Sequence, residues 1–352
     1  MDTAAGPIKI GFLGGGMMAQ VGHLPYYLRD RRCDVIRVCE SRPSLVEALE
    51  QKLGSKRVIR DHNALFSDNE IQAIVISAPR PATGPLTLAA LTAGKHVLAE
   101  KPMAHSVEQA QKLVDAAASR QLIYAVGFMK RYDPGILAAK ALFDETVADL
   151  RLGQLLLARF YDFSNSYVVT PPAHVRPRES RTERFPTWPT YPSWLPEQYR
   201  DAFAWFLNVA SHDVNLLRFF FPDGVEVVSA HCGGDTSVVA TMRKGNTPIV
   251  LEVTKAAVGR WVEGIDFLFE HGQIRVAIPS PMATEQVSEV SLDDERRQIV
   301  DERVEVERGW SFARQATGFI DVLAGSSKPM TSGKDGLADM VLTEEIWRRV
   351  TD

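Results

Sequence analysis

From Ile8 to Gly127 short apolar runs take turns with helical stretches, and that alternation leaves few folds open. Strands are predicted over 8–13, 35–39, 58–59, 74–76, 97–99 and 123–127. Helices are predicted from the first strand to about Asp30, then over 43–53, 86–93 and 107–120. Strands separated by such helices are the pattern of βαβ units and a parallel sheet. Ile74-Val75-Ile76 is apolar without interruption, as a strand covered on both faces requires. A chain of 352 residues has room for about two domains. The expected boundary falls at 128/129.

Forty basic against 44 acidic residues leave a net charge of −4, so no global field draws the chain to nucleic acid or an anionic membrane. No apolar run approaches the roughly 20 residues of a membrane span. Met1–Pro7 lacks a basic-then-apolar leader, and the three cysteines have neither metal nor disulfide spacing. The eight histidines show no zinc spacing, and no Gly-x-Ser-x-Gly elbow is present. The expectation is a reduced, cytoplasmic protein without metal, nucleic-acid or membrane partners.

Gly14-x-Gly16-x-x-Ala19 joins the first strand to the first helix. The first glycine permits a tight turn, and the second lets backbone approach a pyrophosphate. The small third residue permits close helix–strand packing. Unpaired N–H groups and the helix dipole then favour phosphate. Glu40 ends the second strand 24 residues after Gly16, near the place of a ribose-binding acid. That acid favours NAD, while the following Ser41-Arg42 keeps NADP as the alternative. A second signal is Gly94-Lys95-His96-Val97-Leu98-Ala99-Glu100-Lys101-Pro102, which carries Glu100 and Lys101 to a strand's carboxyl end. Ligands of open α/β sheets bind there. A partly desolvated lysine suits proton transfer, though a lone strand-end lysine is more often solvated surface.

At these residues the chain resembles the Gfo/Idh/MocA oxidoreductases, the family of glucose-fructose oxidoreductase and inositol dehydrogenase. The likeness runs through Ile10–Gly16, Gly94–Pro102, Val126–Asp133, Ser211–Arg218 and Lys334–Leu337. It implies an α/β Rossmann domain with a parallel sheet, then an α+β domain with a large, mostly antiparallel open sheet. That sheet often forms the oligomer interface, so a homodimer or homotetramer is expected. Helices over 310–352 are expected near the domain junction. The implied cofactor positions are Gly14, Gly15, Gly16, Met17, Met18, Glu40, Ser41, Arg42, Ala78, Pro79, Arg80, Glu100 and Lys101. The family's Thr-Pro-Asn-x-x-His is replaced here by Ala78-Pro79-Arg80-Pro81-Ala82-Thr83. Arg80 can thus reach a cofactor phosphate or a substrate anion.

A helix is predicted over 203–221, stopped by Pro222, with Asn208, His212 and Asn215 on one face. By spacing alone this is a pocket stripe or a satisfied core histidine. The resemblance places Lys101 and His212 at the reacting hydroxyl of a sugar or cyclitol. Asn208 stands where many relatives carry Asp. It cannot act as a base, so it positions substrate or fixes the His212 ring. Lys130, Arg131, Tyr161 and Trp188 complete the expected substrate contacts. Pro171–Pro196 holds seven prolines, with Arg176, Arg178, Arg181 and Arg184 among Phe185, Trp188, Tyr191 and Trp194. It reads equally as a pocket wall or an oligomer arm. Strands are predicted over 155–163, 225–231, 237–243, 249–255, 264–270 and 273–278, with an exposed edge over 298–307. The functional reading is an NAD(P)-dependent oxidoreductase. Its rivals are a glycoside-cleaving or eliminating enzyme that oxidises sugar transiently, and a non-catalytic NAD-binding regulator.

Overall fold

The computed structural model describes residues 6–163, 172–180, 185–256 and 259–352. Two compact units emerge. The first gathers residues up to 127 with 172–190 and 312–337; the second holds the rest.

The first unit is built on six parallel strands in the order β3-β2-β1-β4-β5-β6. They are β1 (Ile8–Leu13), β2 (Cys33–Cys39), β3 (Val58–Ile59), β4 (Ala73–Ile76), β5 (His96–Ala99) and β6 (Tyr124–Val126). The helices between them are α1 (Leu24–Arg29), α2 (Pro43–Leu53), α3 (His62–Ser67), α4 (Arg80–Thr92) and α5 (Val107–Ser119). The strand order reverses between β1 and β4, which sets a ligand crevice at their carboxyl ends. A five-residue π turn, Ala19–His23, precedes α1. Helix α4 begins six residues before the predicted start at Leu86. Pro81 occupies its opening turn, where a missing N–H costs nothing, and Pro85 lies inside it. One later helix, α9 (Ser311–Leu323), sends Ala316, Phe319 and Ile320 into the core with Ile10, Phe12 and Tyr27.

The second unit carries an eight-stranded sheet in the order β14-β13-β12-β11-β7-β10-β9-β8. Its strands are β7 (Leu155–Asp162), β8 (Val225–Cys232), β9 (Ser237–Lys244), β10 (Thr247–Thr254), β11 (Glu263–Phe269), β12 (Gly272–Ala277), β13 (Glu289–Asp294) and β14 (Ile299–Arg303). Only β7 and β10 run parallel among the described pairs. Alternation puts Ala158, Phe160 and Phe267 on the covered face. There Phe143 of α6 (Pro134–Asp149) meets Phe267 at 4.4 Å between ring centroids, and Phe220 meets it at 4.8 Å. The predicted helix over 203–221 is interrupted at Ala210, giving α7 (Arg200–Val209) and α8 (Ser211–Phe220). The last helix is α10 (Gly333–Thr351).

Candidate active site

The glycine loop is shaped by contacts a side chain would destroy. Gly14 has φ +96°, and a Cβ there would come within 2.1 Å of the Ser77 carbonyl oxygen. Beyond it the N–H groups of Gly16, Met17 and Met18 open a helix whose first turn has no intrahelical acceptors. This cradle fits a pyrophosphate. Ala78, Pro79 and the exposed Arg80 stand beside it at the end of β4 and the start of α4.

Glu40 is tied to its own loop. Its carboxylate accepts from the backbone N–H groups of Gly15 (2.9 Å), Ser41 (2.9 Å) and Arg42 (3.0 Å). It also accepts from Arg42 Nε (2.9 Å) and Nη2 (2.8 Å). Burial opposes the charge, but the guanidinium and the backbone donors prevail and hold the carboxyl at about 2. The acid therefore braces the loop, and Arg42, 14% exposed against 0% for Glu40, carries the pair to the surface.

Glu100 and Lys101 follow β5, and the Lys101–Pro102 peptide is cis. Sequence reasoning missed the residue that holds them. His23 is 1% exposed, lies edge-on to Phe312, and bonds Glu100 Oε1 through Nε2 at 2.7 Å. The other Glu100 oxygen accepts the Lys101 N–H at 3.1 Å. The helix that follows the phosphate cradle is thereby tied to the lysine's backbone. The available signal was a histidine inside the apolar run Val21-Gly22-His23-Leu24.

In the second unit Asn208 and His212 sit on either side of the α7–α8 break. Both are half-buried, while Asp213 and Asn215 are buried. His212 stands edge-on to Phe128, with centroids 6.0 Å apart. Asn215 leaves the expected stripe and donates to Asp339 at 2.6 Å. Arg131 is also committed to this scaffold: it is 4% exposed, donates to the Asn215 carbonyl at 2.9 Å, and lies over Phe219. Lys130 is 5% exposed and paired with the buried Glu263, which Trp261 also approaches at 3.0 Å. Burial works against the Lys130 charge, and Glu263, Asp213 and Asp162 overcome it, raising its pKa. Burial in turn pushes Glu263 and Asp213 upward. Lys130 and Arg131 thus stabilise the floor beneath α8. Tyr161 lies on the sheet face away from α8, stacked with Phe163 and beneath Arg159. That face is fixed by strand alternation, since its neighbour Phe160 meets Phe220 of α8.

The proline-rich segment is divided. Trp188 packs on α4, and Phe185 lies 5.3 Å from the His62 ring, both in the first unit. Trp194 bonds Glu344 and Tyr191 lies beneath Arg200, both in the second. Arg181 and Arg184 fall outside the described residues.

No helix among the described residues is long and apolar enough to cross a membrane. Residues 8–128 match a family described as an oxidoreductase family with an NAD-binding Rossmann fold. The chain is 32% identical over 136 residues to inositol 2-dehydrogenase from Acidothermus cellulolyticus, covering 38% of this chain and 40% of that one. It is 32% identical over 126 residues to D-glucoside 3-dehydrogenase from Escherichia coli, covering 36% of each. These matches span about two fifths of the relatives' length. A 3-ketoreductase from Actinomadura kijaniata, solved with NADP and TDP-benzene, shares the fold with a TM-score of 0.75. The identity is 18%, with 97% of each chain covered. The glycine cradle, the Glu-Lys-Pro strand end and the match over 8–128 agree: residues 8–128 form an NAD-binding Rossmann unit similar to that of the Gfo/Idh/MocA oxidoreductases.

Proposed function

We propose that the chain is an NAD(P)-dependent dehydrogenase or ketoreductase acting on a secondary alcohol or ketone of a sugar, cyclitol or sugar derivative. The observation that carries this reading is Lys101 at the carboxyl end of β5, tied through Glu100 and His23 to the helix behind the phosphate cradle. Bound nicotinamide supplies hydride transfer. The chain's own task is to place the carbinol and move the hydroxyl proton. Lys101 and His212 are the groups chosen for that proton, with Asn208 orienting the substrate or the imidazole. The names of the relatives, an inositol 2-dehydrogenase and a D-glucoside 3-dehydrogenase, support the substrate class. Val239 and Leu268, 41% and 37% exposed on the open sheet, support association into a homodimer or homotetramer.

Lys101→Ala and His212→Ala are each expected to lower kcat about 10²–10⁴-fold while NADH binding survives. If both serve one proton, the double variant is no slower than the slower single one. Wild-type turnover in Lys101→Ala removes it from the mechanism. Absence of nicotinamide redox change across polyols and sugars overturns the enzymatic reading.

A further inference from the structure

The described residues 172–180 and 185–190 run along one edge of the first unit. In chain order, Val175 exchanges two hydrogen bonds with the Gln20 side chain, at 2.9 and 3.0 Å. The Arg178 N–H donates to Ser44 Oγ at 3.1 Å, and Glu179 accepts from Ser44 N and Oγ, both at 2.9 Å. Phe185 meets His62, the Trp188 N–H donates to the Pro81 carbonyl at 2.9 Å, and the Pro189 carbonyl accepts from Gln109 at 3.0 Å. All five partners lie in the opening turns of the helices that follow β1, β2, β3, β4 and β5. In a doubly wound sheet those turns stand at the carboxyl ends of the strands, where the dinucleotide crevice opens.

Helix α4 is adapted to this contact. Pro85 has no N–H to give the carbonyl four residues earlier, so the Pro81 oxygen is left for Trp188. Gly84 clears the helix surface for the ring; a Cβ there would lie 2.5 Å from Trp188. At the other end, Gln20 also donates to the Gly15 carbonyl at 2.8 Å, which joins the segment to the glycine loop itself. Residues 175–179 therefore reach from the helix after β1 to the helix after β2. Between those two elements lie Gly14–Gly16 and Glu40–Arg42, the adenosine side of a Rossmann crevice.

We propose that residues 175–179 form the outer wall of the adenosine half of the dinucleotide site, clasped at Gln20 and Ser44, so that the dinucleotide leaves only after a clasp opens. This rests on the dinucleotide reading of the same crevice. The test is stopped-flow displacement of NADH from the full chain, followed by nicotinamide fluorescence. Glu179→Ala removes the Ser44 clasp and is expected to speed dissociation roughly tenfold, whereas Glu179→Gln keeps an acceptor oxygen and stays near wild type. In parallel, hydrogen exchange at the Val175 and Arg178 amides is expected to slow when NADH is added. An unchanged dissociation rate in Glu179→Ala, or unchanged exchange in a chain that binds NADH, overturns the strap. Failure of the wild-type chain to bind either NADH or NADPH overturns the dinucleotide reading itself.

Discussion

Glu40 in the first unit and Glu263 in the second are both buried carboxylates, and they are held by different means. Glu40 accepts from its own following residues and from Gly15, all close in the chain or across one strand pair. Glu263 meets Lys130, 133 residues away, in a space shared with Asp213 and Asp162. The first arrangement has enough donors to keep its charge. In the second, Lys130 is paired with Glu263, and burial pushes the Glu263 and Asp213 carboxyls upward. A cofactor loop thus rests on an anion held by many donors, while the floor under His212 rests on acids that burial pulls toward the neutral form.

The largest effect should come from breaking the Lys130–Glu263 pair. Lys130→Met leaves the buried Glu263 carboxylate without its paired cation, and about 3–5 kcal/mol of stability should be lost in urea unfolding. Adding Glu263→Gln should restore part of it, because the most closely paired charge goes with its partner. A loss under about 1 kcal/mol would mean that the acids are already neutral without Lys130.

Glu40→Gln sharpens the other side. The neutral amide loses the charge-assisted bonds to Arg42 and the loop N–H groups, at a cost of about 2–3 kcal/mol. NADH affinity should fall with it, since one of the two oxygens that serve Gly15, Ser41 and Arg42 becomes an N–H donor. Unchanged affinity would show that the loop keeps its shape without Glu40.

The contrast also explains what could be read from the sequence. The glycine loop, Glu40 and the Glu-Lys-Pro end are local patterns, so spacing alone located them. The strand over 237–243 was likewise legible from its own residues. The Lys130–Glu263 pair leaves no such trace, because Glu263 sits at an ordinary strand start after Trp261-Val262. Glu40 itself was found by position, but nothing in Glu40-Ser41-Arg42 reveals that the acid also turns back on its own chain. The break at Ala210 was invisible in an apolar stretch without glycine or proline. Helix α6 was not read from the sequence; in the structure Asp133 accepts from Gly135 and Ile136, with Pro134 in the first turn.

The smallest expected effect is a divergence of the two units with pH. In the first unit burial, aided by the charge of Arg80, holds His105 down at about 4. Between its ordinary 6.5 and 4, the unfolded chain takes up a proton that the folded unit refuses, so stability falls as pH falls. In the second unit burial holds Glu263 and Asp213 above their ordinary 4.5 and 3.8. There the folded unit keeps protons that the unfolded chain releases, so stability rises as pH falls toward those ordinary values. Each group contributes a slope of at most about 1.4 kcal/mol per pH unit. Hydrogen exchange, corrected for intrinsic rates, should therefore show α5 losing protection from about pH 7 to about pH 5 while α8 and β11 gain it. His105→Asn should flatten the first trend and leave the second. Parallel trends in both units would mean that one shared group, not two opposed environments, sets the response to acid.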